Sequence, residues 1–215
     1  MSDALFNEYA RVFAQFTTQY QEEIYEKIVP RLRGHVLDAG AGCGKLAAYI
    51  PEESQMQSYL GVDSSAKMVE LGQSLLSTLD RSDIQLQKCW IEDTQGSFDT
   101  IVSIQSYYAW NDSARVLSHL YEIMTEGGEL HLATANNMLD IEFLIRQCSR
   151  GFCLHPDWST YVEYNRMLSA LPQGRFVSLD TLIDEIKQAG FCITGTNTSL
   201  FERGVNLVSA VKLEM

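Results

Sequence analysis

No stretch of about 18 consecutive apolar residues occurs in the 215-residue chain, so no membrane-spanning helix is expected. The opening residues, MSDALFNEYA, lack the basic start and apolar core of a secretory signal, and a cytoplasmic protein is expected. Basic residues are scarce. Sixteen Lys and Arg stand against 28 Asp and Glu, a net charge of −12. Without a Lys/Arg cluster, a nucleic-acid or membrane-surface partner is disfavoured and a small molecule is expected instead. Cysteines number five, at Cys43, Cys89, Cys148, Cys153 and Cys192. An odd, scattered set suits reduced thiols rather than a disulfide framework. Cys148 and Cys153 have no second pair to complete a metal site, so no metal is expected. Repeats, low-complexity stretches and an obvious linker are also missing, and the length suits one domain over residues 1–215.

What is present is concentrated in residues 35–47, HVLDAGAGCGKLA. Apolar residues run into Asp38, then Gly40, Gly42 and Gly44 alternate, and a helical stretch follows. Glycine has no Cβ and tolerates positive φ, so such a turn lets a ligand approach the backbone. A dinucleotide turn reads G-x-G-x-x-G and places a pyrophosphate on a helix N-terminus. Here Lys45 stands where the third glycine would fall. Asp38 would also repel a pyrophosphate, whereas it would attract an ammonium group. S-adenosyl-L-methionine carries an ammonium, a sulfonium and an adenosine, and no phosphate. The pattern D-x-G-x-G-x-G resembles the first motif of the class I S-adenosylmethionine-dependent methyltransferases. That resemblance implies cofactor contacts at Asp38, Ala39, Gly40, Ala41, Gly42 and Gly44.

The next segments extend the likeness. Tyr59 to Val62 reads as a strand ending at Asp63, with Ser64 or Ser65 able to cap the following helix. An acid about 20 residues past the glycine turn is placed to accept hydrogen bonds from a ribose diol. In the family it is the ribose ligand, with Ser64 beside it and Met68 near the adenine. A third strand, residues 84–88, leads to Trp90, Ile91 and Glu92, which the resemblance makes adenine contacts. Whether an acid or the Trp90 ring meets the base stays open. Phe98–Asp99 and an apolar strand follow, ending at Ser103, Ile104 and Gln105, which should face the reacting methyl group. Tyr107, Tyr108 and Trp110 come at once. Aromatic faces attract cations, and they also shape acceptor pockets or pack cores.

The whole layout implies an α/β fold: a Rossmann-like, seven-stranded, mostly parallel sheet with helices on both faces and a closing antiparallel hairpin. A helix over residues 114–124 and a strand over 125–134 fit it. So do a helix from Ser178 to Ala189 and two late strands joined at Glu202–Gly204. Leu5, Tyr9, Val12, Phe13, Phe16, Tyr20, Ile24 and Ile28 recur at helical spacing, so residues 1–31 form one long helix or two shorter ones. Residues 136–175 are the expected helical lid insertion, carrying Phe152, His155, Trp158, Tyr161 and Tyr164. Tyr9, Tyr107, Tyr108, Trp110, Trp158 and Tyr161 are the expected acceptor contacts.

The implied activity is methyl transfer to oxygen or nitrogen of a small acceptor, a carboxylate or other metabolite, by in-line displacement, leaving S-adenosyl-L-homocysteine. The layout is similar to the biotin-precursor and trans-aconitate methyltransferases. No motif marks a catalytic acid or base; His155 and Tyr108 are the only candidates. Two alternatives remain: a catalytically silent S-adenosylmethionine-binding regulatory or partner protein, and an NAD-linked oxidoreductase. The acceptor, the atom methylated, the pathway and the choice between monomer and homodimer are not written in the sequence.

Overall fold

A computed structural model describes residues 3–170 and 176–214. The last five residues of the expected lid, 171–175, and the first two of the N-terminal segment lie outside the described residues. The strands are β1 (Arg33–Ala39), β2 (Gln55–Asp63), β3 (Ile84–Lys88), β4 (Phe98–Ile104), β5 (Met124–Ala135), β6 (Cys192–Asn197) and β7 (Val205–Val211). They form one sheet in the order β3-β2-β1-β4-β5-β7-β6. The first five are parallel, and β7 inserts antiparallel between β5 and β6. The expected seven-stranded, mostly parallel sheet with its antiparallel closing hairpin is therefore present. Strand order reverses between β1 and β4, and the crevice outside the strand ends at such a switch point is where open α/β sheets bind ligands.

The helices are α1 (Asp3–Gln15), α2 (Gln19–Ile28), α3 (Ala66–Leu76), α4 (Ser113–Ile123), α5 (Ile141–Phe152), α6 (Trp158–Ala170) and α7 (Leu179–Gln188). The N-terminal segment is thus two helices. Thr18 separates them by a capping box, accepting from the Gln21 amide while the Gln21 side chain accepts from the Thr18 amide. Ser65, Asp112, Asp140 and Ser178 cap α3, α4, α5 and α7 in the same general way, each accepting from the amide three residues on. One expectation differs locally. The stretch after the glycine turn is a five-residue 3₁₀ helix, Lys45–Tyr49, rather than an α-helix. Pro51 ends it, because the residue before a proline is driven to extended backbone, and Ile50 has ψ 116°.

Strand alternation divides the core in two. Val36, Tyr59, Val102 and Ala133 pack toward α1, α2, α3, α5 and α6. Leu37, Ala39, Ile101, Leu130 and Leu132 pack toward α4 and α7, with Leu117, Leu120, Leu182 and Ile186 fully buried there. Helices therefore cover both faces, as the resemblance implies. The insertion carrying α5 and α6 leaves the sheet after β5, and its ends meet in a parallel bridge between Asn136 and Val177. Asn206 secures that root. It accepts from Asn136 Nδ2 at 2.5 Å and donates to the Val177 carbonyl at 2.8 Å.

Candidate functional site

At the carboxyl ends of β1, β2 and β4, α1 and α2 roof a cleft of about 1190 Å³, its open mouth included. The glycine turn forms its floor. Gly40 has φ +86°, and a Cβ there would lie 2.3 Å from Ser106 Cβ, so no other residue fits without displacement. The Gly40 and Ala41 amides both donate to the Val62 carbonyl at 2.9 Å, tying the turn to β2. Asp63 closes the turn from the other side: one carboxylate oxygen accepts from the Gly42 amide and the other from the Ser65 amide, each at 2.9 Å. Ser65, not Asp63, caps α3.

Asp38 is the unusual group. It is 3% exposed, yet it lines the cleft. Oδ2 accepts from the Tyr59 hydroxyl at 2.5 Å, and Oδ1 is buried without a partner among the described residues. Burial pushes its carboxyl up to about 7, opposed by the Tyr59 hydrogen bond and reinforced by the nearby Asp63 charge. Strand register explains the pairing. Asp38 lies opposite Gly61, and Tyr59, two residues back on β2, points to the same face. A Cβ at Gly61 would come within 3.2 Å of the Tyr59 ring. The phenols of Tyr59 and Tyr25 are raised by burial and then by the Asp38 charge, so both remain donors.

Asp38, Gly40, Ala41, Gly42, Asp63, Ser64, Met68, Trp90, Ile91, Glu92, Ile104 and Gln105 all line this cleft. Trp90 is 47% exposed at its mouth while Ile91 is buried. Three expected cofactor residues do not line it. Ala39 packs in the α4–α7 core, because alternation turns it away from the Asp38 side. Ser103 shares Ala39's side of the sheet, and its hydroxyl meets Ser106 Oγ at 2.7 Å. Gly44 faces Leu86 and Leu76, where a Cβ would clash at 2.9 Å.

Of the expected acceptor contacts, Tyr9, Tyr108 and Trp110 line the cleft. Trp110 donates through Nε1 to Ser106 Oγ at 3.2 Å, and Ser106 donates to the Ala39 carbonyl at 2.9 Å, so one serine joins β1 to the segment after β4. Tyr107 is elsewhere. It is wholly buried in the opposite core, donating to Glu185 Oε2 at 2.7 Å. A second cavity of about 580 Å³, its open mouth included, adjoins the cleft between α1, α2, α5 and α6, and Tyr9, Tyr108 and Tyr161 line it. Trp158 stacks on Tyr161 at 5.3 Å without lining either cavity. His155 packs edge-on against Phe16, accepts the Asp157 amide at 3.2 Å and also lies outside both cavities. It is not placed to act as a base there.

Sequence reasoning missed Tyr59, Tyr25, Gln21, Ser106 and Lys45. Gly61 inside a strand was the one signal for Tyr59, since such glycines mark close approach. Lys45 was noticed only as a missing glycine. Its ammonium donates to the Phe16 carbonyl and lies 3.9 Å from the Phe13 ring centre, pinning α1 over the turn. Burial lowers its pKa to about 8.

A buried carboxylate oxygen without a partner, beside alternating glycines, is what a ligand with a positive centre requires. The fold that holds it is that of the class I S-adenosylmethionine-dependent methyltransferases. The chain belongs to this family: residues 8–195 match the model described as "Methyltransferase domain". Trans-aconitate 2-methyltransferase of Deinococcus radiodurans is 30% identical over 114 residues, 52% of this chain and 42% of that protein. The chain therefore matches less than half the length of that curated relative. Among solved structures, a chain of the Haloferax volcanii complex between the Trm112 methyltransferase activator and a methyltransferase superposes with TM-score 0.72 at 14% identity, covering 97% of this chain and 98% of that one. A SAM-dependent methyltransferase from Aquifex aeolicus gives TM-score 0.70 at 13% identity, covering 96% and 98%. At such identities the structures speak to fold.

Proposed function

We propose that the protein transfers a methyl group from S-adenosyl-L-methionine to oxygen or nitrogen of a small-molecule acceptor. The observation that carries this reading is the unpaired Asp38 Oδ1 at the floor of the cleft. When bound, the cofactor supplies an electrophilic methyl group together with its leaving group. The chain's residues hold, orient and dry the site. Asp38 takes the ammonium, and a positive charge there restores its ionised form. Asp63, already fixed by two amides, meets the ribose diol. Met68, Trp90 and Ile91 bracket the adenine, with Glu92 at its edge. Tyr9 and Phe13, on the helix pinned by Lys45, exclude water from above.

Positioning is the main catalytic contribution, and it lowers barriers by roughly 7–11 kcal/mol in well-oriented reactions. Tyr108, raised to about 12 by burial and then by Asp63, keeps its proton at neutral pH and serves as a hydrogen-bond donor, not a base. Calorimetric titration with S-adenosylmethionine, S-adenosylhomocysteine and NADH tests the reading. Both adenosyl ligands are expected to bind and NADH is not. Failure of both adenosyl ligands overturns it, and NADH binding in their place restores the dehydrogenase alternative. Binding with no turnover across an acceptor screen would favour the silent binding protein.

A further inference from the structure

We propose that the second cavity is the acceptor chamber and that it selects an uncharged, largely apolar molecule bearing a hydrogen-bonding oxygen, an assignment that rests on the methyltransferase reading above. The cavity shares Tyr9, Phe13, Gln21, Gln105 and Tyr108 with the cofactor cleft, so the two spaces adjoin across those side chains.

The chemistry of the walls is one-sided. Rings come from Tyr9, Tyr20, Tyr108, Tyr161 and Phe176, and aliphatic surface from Leu139, Ile141, Leu144 and Leu168. Among the described lining residues none is Lys, Arg, His, Asp or Glu. The four phenols are all raised by burial, so they stay neutral. A carboxylate entering this chamber would leave water without a cation from these walls to meet it, and unpaired buried charge is strongly disfavoured.

The polar groups narrow the ligand further. Thr18 and Gln21 bond each other in the capping box, and Asn165 Nδ2 donates to the Tyr161 carbonyl at 2.8 Å. Two groups remain. Tyr20 Oη and Gln105 Nε2 are buried without a hydrogen-bond partner among the described residues, and both residues line the chamber. Gln105 is held at φ +56° immediately after β4, with its backbone N–H donating to the Ala133 carbonyl at 2.8 Å. That backbone state is uncommon for a side chain of this size, and it sets the amide at the junction of the two spaces. A neutral carbonyl, hydroxyl or ether oxygen supplies the missing partner.

The test uses the full chain saturated with S-adenosylhomocysteine and a matched pair of probes, 4-methoxyacetophenone and 4-methoxybenzoate. They have nearly the same size and differ in one carboxylate. Calorimetry is expected to show the ketone binding at least about tenfold more tightly, the scale of one uncompensated charge or hydrogen bond. Equal or tighter binding of the benzoate, or binding of neither probe, overturns the proposal. If S-adenosylhomocysteine itself does not bind, the cofactor reading fails, and the same pair titrated into the free protein still decides the chamber's preference. Tyr20→Phe is expected to weaken ketone binding about fivefold. An unchanged ketone affinity in Tyr20→Phe overturns the hydrogen-bond assignment. Should that variant lose both ligands through misfolding, the wild-type comparison still decides.

Discussion

Tyr107 and Tyr108 follow one another in the chain and end on opposite faces of the sheet. Tyr107 enters the core beneath α4 and α7, where its hydroxyl and that of Ser113 both donate to Glu185 Oε2, at 2.7 and 2.6 Å. Tyr108 lines both cavities on the other face, with its ring edge-on to Phe176 at 5.8 Å. On the first face the Tyr107 and Ser113 hydroxyls close on Glu185. The other leaves Asp38 Oδ1, Tyr20 Oη and Gln105 Nε2 unpaired, and all three residues line a cavity. Native interiors satisfy nearly all buried polar groups, and these three, gathered at the cavities, are the ones the proposed ligands would complete.

The comparison breaks most sharply at Asp38. Asp38→Asn keeps an acceptor for Tyr59 and removes the charge, and S-adenosylmethionine affinity is expected to fall about 100-fold by calorimetry. Ligand-free stability should move the other way. Burial holds the folded-state carboxyl at about 7, above its unfolded value of about 3.9, so the stability of the neutral form is full below about pH 4 and lost as pH rises through about 7. The variant's advantage in melting temperature should therefore grow between pH 4 and 7 and level off above. If wild type is the more stable above pH 7, Asp38 is not a strained buried acid.

Gly40→Ala ranks next. It needs a side chain at φ +86°, in the space of Ser106, and should cost about 1–3 kcal/mol in denaturant unfolding while weakening the cofactor. Acidification comes third. An ammonium prefers ionised Asp38, so cofactor affinity should be flat above pH 7 and fall by about tenfold at pH 6. A flat profile down to pH 5.5 would remove Asp38 from the ammonium contact. The smallest effect sharpens the contrast between the tyrosines. Tyr107→Phe is expected to cost about 1 kcal/mol of stability and leave S-adenosylhomocysteine affinity unchanged. Tyr108→Phe should leave stability nearly intact and lower turnover, so a reversed pattern would erase the distinction between the faces.

Much of the candidate cleft's lining was legible because its residues are local in the chain. The glycine turn, Asp38, Asp63 and the Trp90–Glu92 segment each sit at a strand end, and strand ends are readable from apolar runs that stop at an acid or a glycine. Ala39 and Ser103 point away from the cleft for a simple reason. A motif names consecutive residues, while a strand presents only alternate ones to a given face. The aromatic segments were legible as aromatic but not as to side. Tyr107, Trp158 and His155 belong to the same runs as Tyr108 and Tyr161, and composition cannot say which ring meets a cavity.

By itself the sequence determined the fold class, the glycine turn that lines the cleft and the acids beside it, because hydrophobic period, glycine and charge act over a few residues. Tertiary structure alone decided that Tyr59 would pair with Asp38, that Lys45 would pin α1 across the cleft, and that Tyr20 and Gln105 would line one cavity whose described lining carries no charged side chain. Those contacts join residues distant in the chain, and their existence depends on sheet register and helix packing. Neither register nor packing is carried by any short stretch of residues.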